Sequence, residues 1–178
     1  MRVVISGTHG SGKSTLLADF ASGHAGWRTL ADPFEDIDVA EQSPGAATYF
    51  AQLRIAAARL LAPTDGPLIA ERGPLDFLAY LQALDDLARP GRSSELLAQG
   101  YRLAERAMAN VDLLILLPLN ARDAIQIASE EDLELRDAMD AALLELADDA
   151  DLTAGAQVVE ITGERSHRLA QLEHAIDR

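Results

Sequence analysis

Near its start the chain carries Gly7-Thr8-His9-Gly10-Ser11-Gly12-Lys13-Ser14, the spacing G-x-x-x-x-G-K-[ST]. Those residue types at those positions suit one kind of chemistry. Glycines let the backbone curl until several N–H groups converge, the N-terminus of a following helix adds partial positive charge, and a lysine can reach the outer phosphates of a nucleoside triphosphate. Gly7, Gly10, Ser11, Gly12, Lys13, Ser14 and Thr15 are therefore the candidate phosphate-binding residues. The Ser14 hydroxyl is a candidate magnesium ligand. Lys13 is the sole lysine, while arginine fills the other basic positions. Arginine suffices for a cation elsewhere, so a compact ammonium on a flexible stem is what position 13 requires.

Such a loop needs a strand before it and a helix behind it. Val3 to Ile5 is a short apolar run that reads as a buried strand, and Lys13 to Phe20 reads as the following helix. Further strands are expected at Trp27 to Ala31, Pro67 to Ala70, Val111 to Leu119 and Gln157 to Ile161. Helices are expected at Ala46 to Leu61, Leu75 to Leu87, Ser94 to Asn110, Glu130 to Leu146 and Glu164 to Ile176, with a loop from Asn120 to Ser129. Continuous apolar strands alternating with helices predict an α/β fold of three layers, a five-stranded parallel sheet with helices on both faces.

At 178 residues the chain fits one domain, 1–178, able to bury about 70% of its unfolded surface. Its net charge of -14 is unevenly spread, with 1–72 close to neutral and the excess acid in 73–178. A nucleic-acid partner would need a basic stripe, and none is present. With no cysteine, no secretory leader and no membrane-length apolar run, a cytoplasmic protein without a membrane partner is expected, as a monomer or homodimer. His9, His24, His167 and His174 lack metal-ligand spacing, so no structural metal is expected.

Loops of this kind serve GTPases, AAA-type machines and small-molecule kinases. Reading guanine through N-K-x-D would need a second lysine, and large AAA machines need a longer chain with a helical lid domain. Ile69-Ala70-Glu71-Arg72-Gly73-Pro74-Leu75-Asp76 resembles the Glu/Asp-Arg motif of deoxynucleoside and thymidylate kinases. It is still more similar to the small AAA-type P-loop proteins related to the ribosylnicotinamide kinase module, as are Glu131-Asp132-Leu133-Glu134-Leu135-Arg136 and Val159-Glu160-Ile161-Thr162-Gly163. The resemblance implies a P-loop NTPase fold that uses ATP and magnesium on a small-molecule phosphate acceptor. Glu71 would hold a water on magnesium, and Arg72 would lie near the transferred phosphate and the acceptor hydroxyl. The physics agrees, since magnesium favours oxygen ligands and a guanidinium can stabilise charge on the equatorial phosphate oxygens.

The same resemblance nominates the acceptor side. Asp32-Pro33 stands where deoxynucleoside kinases carry Glu-Pro, making Asp32 the candidate base, with Glu35, Asp36 and Asp38 as alternatives or all four as a hydrated loop. Gln52, following Tyr49-Phe50, resembles a base-reading glutamine, and Arg59 shares its helix face. The alternative is a solvated face opposite a buried stripe of Phe50, Leu53, Ala57 and Leu60. Arg122, in the expected lid loop, and Arg136 are candidates to close over the phosphates, or else to pair with nearby carboxylates. The leading expectation is ATP-dependent phosphoryl transfer to a nucleoside-like acceptor. A non-nucleoside acceptor and an ATP-binding regulator with slow hydrolysis are the alternatives.

Overall fold

The computed structural model describes residues 1–36, 44–120 and 132–178. Five strands, β1 (Arg2–Ser6), β2 (Arg28–Leu30), β3 (Leu68–Glu71), β4 (Leu113–Leu116) and β5 (Gln157–Glu160), form one sheet in the order β2-β3-β1-β4-β5. Every pairing is parallel. The helices are α1 (Lys13–Gly23), α2 (Ala46–Leu61), α3 (Pro74–Asp86), α4 (Ser93–Met108), α5 (Leu133–Asp148), α6 (Ala150–Thr153) and α7 (Arg165–Ile176). Register decides what meets at the sheet's edge: Ile5 is level with Glu71 and Ser6 with Leu116, so the chain leaves β1 at Gly7 beside Arg72.

Strand residues alternate between two apolar layers. Val4, Leu68, Ala70, Leu114 and Leu116 pack with α2 to α6. Val3, Ile5, Ile69, Leu113 and Ile115 pack with Leu16, Leu17 and Phe20 of α1 and Leu172 and Ala175 of α7. Both faces are covered, which is why these strands read as unbroken apolar runs, and each buried Leu, Ile or Phe contributes about 1.5–3 kcal/mol of transfer free energy. Helix α3 is buried along its whole first two turns, Pro74 to Leu81. No described helix is long and apolar enough to cross a membrane.

Several expected boundaries move, for identifiable reasons. β4 stops at Leu116 because Pro118 has no N–H for a ladder, and Leu119 N donates instead to both carboxylate oxygens of Asp140 at 3.1 Å. α5 starts at Leu133, behind an Asp132 cap that accepts from Leu135 N, rather than at Glu130. The expected loop lies, beyond Asn120, outside the described residues. A 3₁₀ turn at Pro33–Asp36 and the short α6, capped by Asp149, are additions to the expected pattern. α2 has the expected bounds, but its buried residues include Tyr49, Gln52, Leu53, Ala56, Ala57 and Leu60, with Phe50 only half-buried. Gln52 is 2% exposed, which overturns the solvated-face expectation: α2 packs against both α3 and α4, so its covered arc is wider than one stripe.

Candidate active site

The phosphate loop occupies the turn from β1 into α1. Gly10 (φ 66°) and Gly12 (φ 93°) take left-handed conformations that a side chain would disfavour, and this is how the backbone folds back on itself. Lys13, the first residue of α1, is 4% exposed, and its Nζ donates to Thr8 O at 2.7 Å and Ser11 Oγ at 3.5 Å. Burial, with the Arg72 charge behind it, lowers the Lys13 ammonium to about 7 against the pull of Asp76, Glu71 and Asp32. A phosphate in the loop would offset the hydration that burial takes from the ammonium. The Thr8 hydroxyl is buried without a hydrogen-bond partner among the described residues.

Ser14 Oγ donates to Glu71 Oε1 at 2.6 Å, joining the start of α1 to the end of β3. A hydroxyl and a carboxylate converging beside a phosphate loop form a hard oxygen donor set, and it fits magnesium. Ser14 and Glu71 are the residues that could hold it.

The next residue, Arg72, is buried at a left-handed φ of 62°, a conformation costing a non-glycine residue about 1–3 kcal/mol unless its surroundings impose it. Its N–H donates to Ile5 O at 3.0 Å, and its Nε donates to Asp32 Oδ2 at 2.6 Å. The other Asp32 oxygen accepts from Phe34 N at 2.9 Å. Burial works against the guanidinium charge, but Tyr80, Asp32 and Asp76 outweigh it and hold Arg72 above its usual range. The cation lies 5.5 Å from the Tyr80 ring centre and 5.9 Å from that of Phe77, while Nη1 is buried with no hydrogen-bond partner among the described residues. Arg72 and Asp32, separate in sequence, are thus brought together.

Arg59 reaches the same strand end, its Nη1 donating to Ala31 O at 2.7 Å. Gln52 lies two helical turns before Arg59 and one turn after Tyr49, whose ring stacks on Tyr80 at 4.3 Å. The Gln52 Oε1 is buried and has no hydrogen-bond partner among the described residues. Arg136 does reach the phosphate loop, its Nε donating to His9 O at 3.0 Å. Arg122 and Asp38 fall outside the described residues, as do the side chains of Glu35 and Asp36. Thr15 is exposed on α1 one residue beyond Ser14.

Two further residues at this edge have no role assigned by the sequence: Arg168 lies in no motif, and Asp76 closes the Glu71-Arg72 motif without a function attached to it. Arg168 of α7 donates from Nη1 to Ser11 O and from Nε to Gly163 O, both at 2.7 Å, strapping the phosphate loop to the chain after β5. Asp76 of α3 is fully buried and accepts from Ser6 Oγ, Gly7 N and Gly73 N. The signal for Asp76 is its setting, the one charged residue in the apolar run from Pro74 to Leu84, where an acid must find partners.

A family model described as an AAA domain matches residues 2–168. No curated protein matches the chain in sequence. Among solved structures it is similar to a thymidylate kinase from Candida albicans, with a TM-score of 0.70 at 15% identity, covering 99% of this chain and 90% of that one. Deoxyadenosine kinase from M. mycoides with bound dATP gives a TM-score of 0.66 at 16% identity, with both chains covered completely. NadR protein in complex with NAD and AMP-PNP gives 0.67 at 17% identity, covering 99% of this chain and 49% of that one. At such identities the likeness is one of fold, and the shared fold is that of P-loop kinases.

Proposed function

The chain belongs to the AAA-domain family, and from that premise we propose that it transfers the terminal phosphoryl group of ATP to a hydroxyl of a small acceptor, a nucleoside or nucleoside-like compound first. One observation carries this: Asp32 is held by Arg72 at 2.6 Å, one residue along from the Glu71 that meets Ser14 of the phosphate loop. A loop that only bound ATP would have no use for an oriented acid just past the end of β2, two strands away. The kinase fold of the similar structures supports the same reading, and two of those structures hold dATP and AMP-PNP. It includes action as one cytoplasmic domain, monomeric or homodimeric.

In this mechanism the loop N–H groups and Lys13 bind the β- and γ-phosphates, with Arg136 at the loop's rim. Magnesium, held by Ser14 and through water by Glu71, would neutralise charge on the outer phosphates. Arg72 places its guanidinium at the transferred group, and Asp32 orients the acceptor hydroxyl. The acceptor oxygen forms the new P–O bond as the bond from the γ-phosphorus to the bridging oxygen breaks. ADP leaves, and the hydroxyl proton passes late to Asp32. Gln52 and Arg59 are assigned to the acceptor side, and Arg122 to the closing segment.

The test is ADP release with and without pools of nucleosides, nucleotides, sugars and secondary metabolites. The expected result is an acceptor that stimulates the wild type, with Asp32→Asn losing about 10²-fold of that stimulation at nearly unchanged ATP affinity. Equal stimulation of the variant would remove Asp32 from the mechanism. If no acceptor stimulates the wild type, the protein is an ATP-binding regulator instead.

A further inference from the structure

The two halves of the site, the loop that would hold ATP and the arginine-acid pair that would hold the acceptor, meet at a residue to which neither half assigns a role. Asp76 is 0% exposed and sits in the first turn of α3. Its Oδ1 accepts from Gly7 N at 2.9 Å. Its Oδ2 accepts from Ser6 Oγ at 2.6 Å and from Gly73 N at 2.8 Å. Arg72 Nη1 lies 3.9 Å from Oδ1. One carboxylate therefore grips the last residue of β1, the first residue of the phosphate loop and the residues that follow β3.

Helix capping explains only part of this. An N3 carboxylate receiving Gly73 N, the residue before α3, is an ordinary cap, and it needs one oxygen. The bonds to Ser6 and Gly7 span about seventy residues of sequence and do nothing for α3 itself. The 72–73 segment is also confined from the sheet side: a Cβ at Gly73 would sit 2.7 Å from Val4 Cγ1, so Gly73 lies directly on β1. Arg72, in a conformation it would not choose, is thus fixed by Ile5 O behind it, Asp32 at its side chain, and Gly73 pinned by Asp76 in front.

We infer that Asp76 is a positioning residue that sets the distance between the phosphate loop and the Arg72–Asp32 pair. The inference rests on the kinase reading for its consequence in catalysis, but the geometric role stands apart from it. Phosphoryl transfer needs the acceptor oxygen in line with the breaking bond, and a misplacement of about 1 Å can cost about 10²-fold in rate. With Asp76 amidated, one acceptor oxygen becomes a donor facing other donors, Gly73 N or Gly7 N loses its partner, and the arginine segment is free to shift relative to the loop.

The experiment combines a spectroscopic readout with turnover. In ¹H–¹⁵N spectra the Arg72 Nε–H, assigned by its disappearance in Arg72→Lys, is expected to be shifted and protected from exchange by its bond to Asp32. In Asp76→Asn that signal moves and its exchange rises by about 10-fold or more, and in Ser6→Ala it changes less but in the same direction. Acceptor-dependent kcat falls about 10²-fold in Asp76→Asn with little change in the KM for ATP. The Asp76→Asn, Asp32→Asn double variant is no slower than the poorer single one, because Asp76 acts by placing the Arg72–Asp32 pair and has nothing left to place once the Asp32 carboxylate is lost. An Arg72 signal unchanged in Asp76→Asn, or additive kinetic effects, would overturn the proposal. If Asp76→Asn does not fold, Ser6→Ala decides: an unchanged Arg72 signal there overturns the positioning role. If no acceptor stimulates the wild type the kinase reading fails, while the Arg72 signal still settles what Asp76 does.

Discussion

At the residue scale the site is a set of buried charges that answer one another. Lys13 and Arg72 are cations with almost no exposure, and Glu71, Asp32 and Asp76 surround them. Buried charges persist only when paired, and the Arg72–Asp32 pair here also joins the chain after β3 to the chain after β2. Glu71 gives a direct check on the division of labour. Glu71→Gln keeps the size and one oxygen for Ser14 but removes the charge proposed to hold a magnesium-bound water. Turnover at saturating magnesium is expected to fall at least about 10-fold while ATP affinity changes by less than a few-fold, since the loop and Lys13 still hold the phosphates. Titration calorimetry beside steady-state kinetics separates the two, and equal losses in both would assign Glu71 to binding. The turn from Gly7 to Gly12 between β1 and α1 was legible in the sequence because glycine, lysine and serine at that spacing have few other uses. Asp32 and Arg72 were legible by resemblance, but their contact depended on β2 lying next to β3. Asp76 was not legible as part of the site, because an acid in a helix's first turn is fully accounted for by capping until its other partners are seen.

At the scale of elements, strand ends and helix starts do the positioning. β1, β2 and β3 end level with one another, and α1 and α3 begin there, so two strand-to-helix turns face each other across Asp76. Close approach of those turns requires glycine at position 73. Gly73→Ala would drive its methyl into Val4 at the centre of the sheet and is expected to cost about 1–3 kcal/mol. Chemical denaturation measures it, and a variant as stable as the wild type would show that the turn can relax. Strand and helix positions were largely legible from apolar runs and Gly/Pro breaks. Local patterning could not show that Gln52 is buried, because the width of α2's covered face depends on α3 and α4 packing on it together. Arg168 was hidden in the same way: a polar residue on an amphipathic helix reads as solvent-facing until α7 is placed beside the phosphate loop.

At the scale of the whole molecule, the sheet order β2-β3-β1-β4-β5 puts the phosphate loop after the central strand and Asp32, the acid proposed for the acceptor side, just past the edge strand β2. Ligands of open parallel sheets collect at this carboxyl edge, and the near-neutral first 72 residues supply most of it here, leaving the acidic excess to the rest of the chain. That distribution suits an anionic nucleotide bound beside a small acceptor. A kinase sends the phosphoryl group to an acceptor hydroxyl and not to water. The measurement is transfer from ATP labelled in its γ-phosphate, in the presence of the best stimulating acceptor, for the wild type and for Lys13→Ala. The wild type is expected to place the label in an acceptor phosphate ester in step with ADP formation, and Lys13→Ala, still folded, to form neither product above background. Label released only as inorganic phosphate, whatever acceptor is offered, or undiminished transfer by Lys13→Ala, would contradict it.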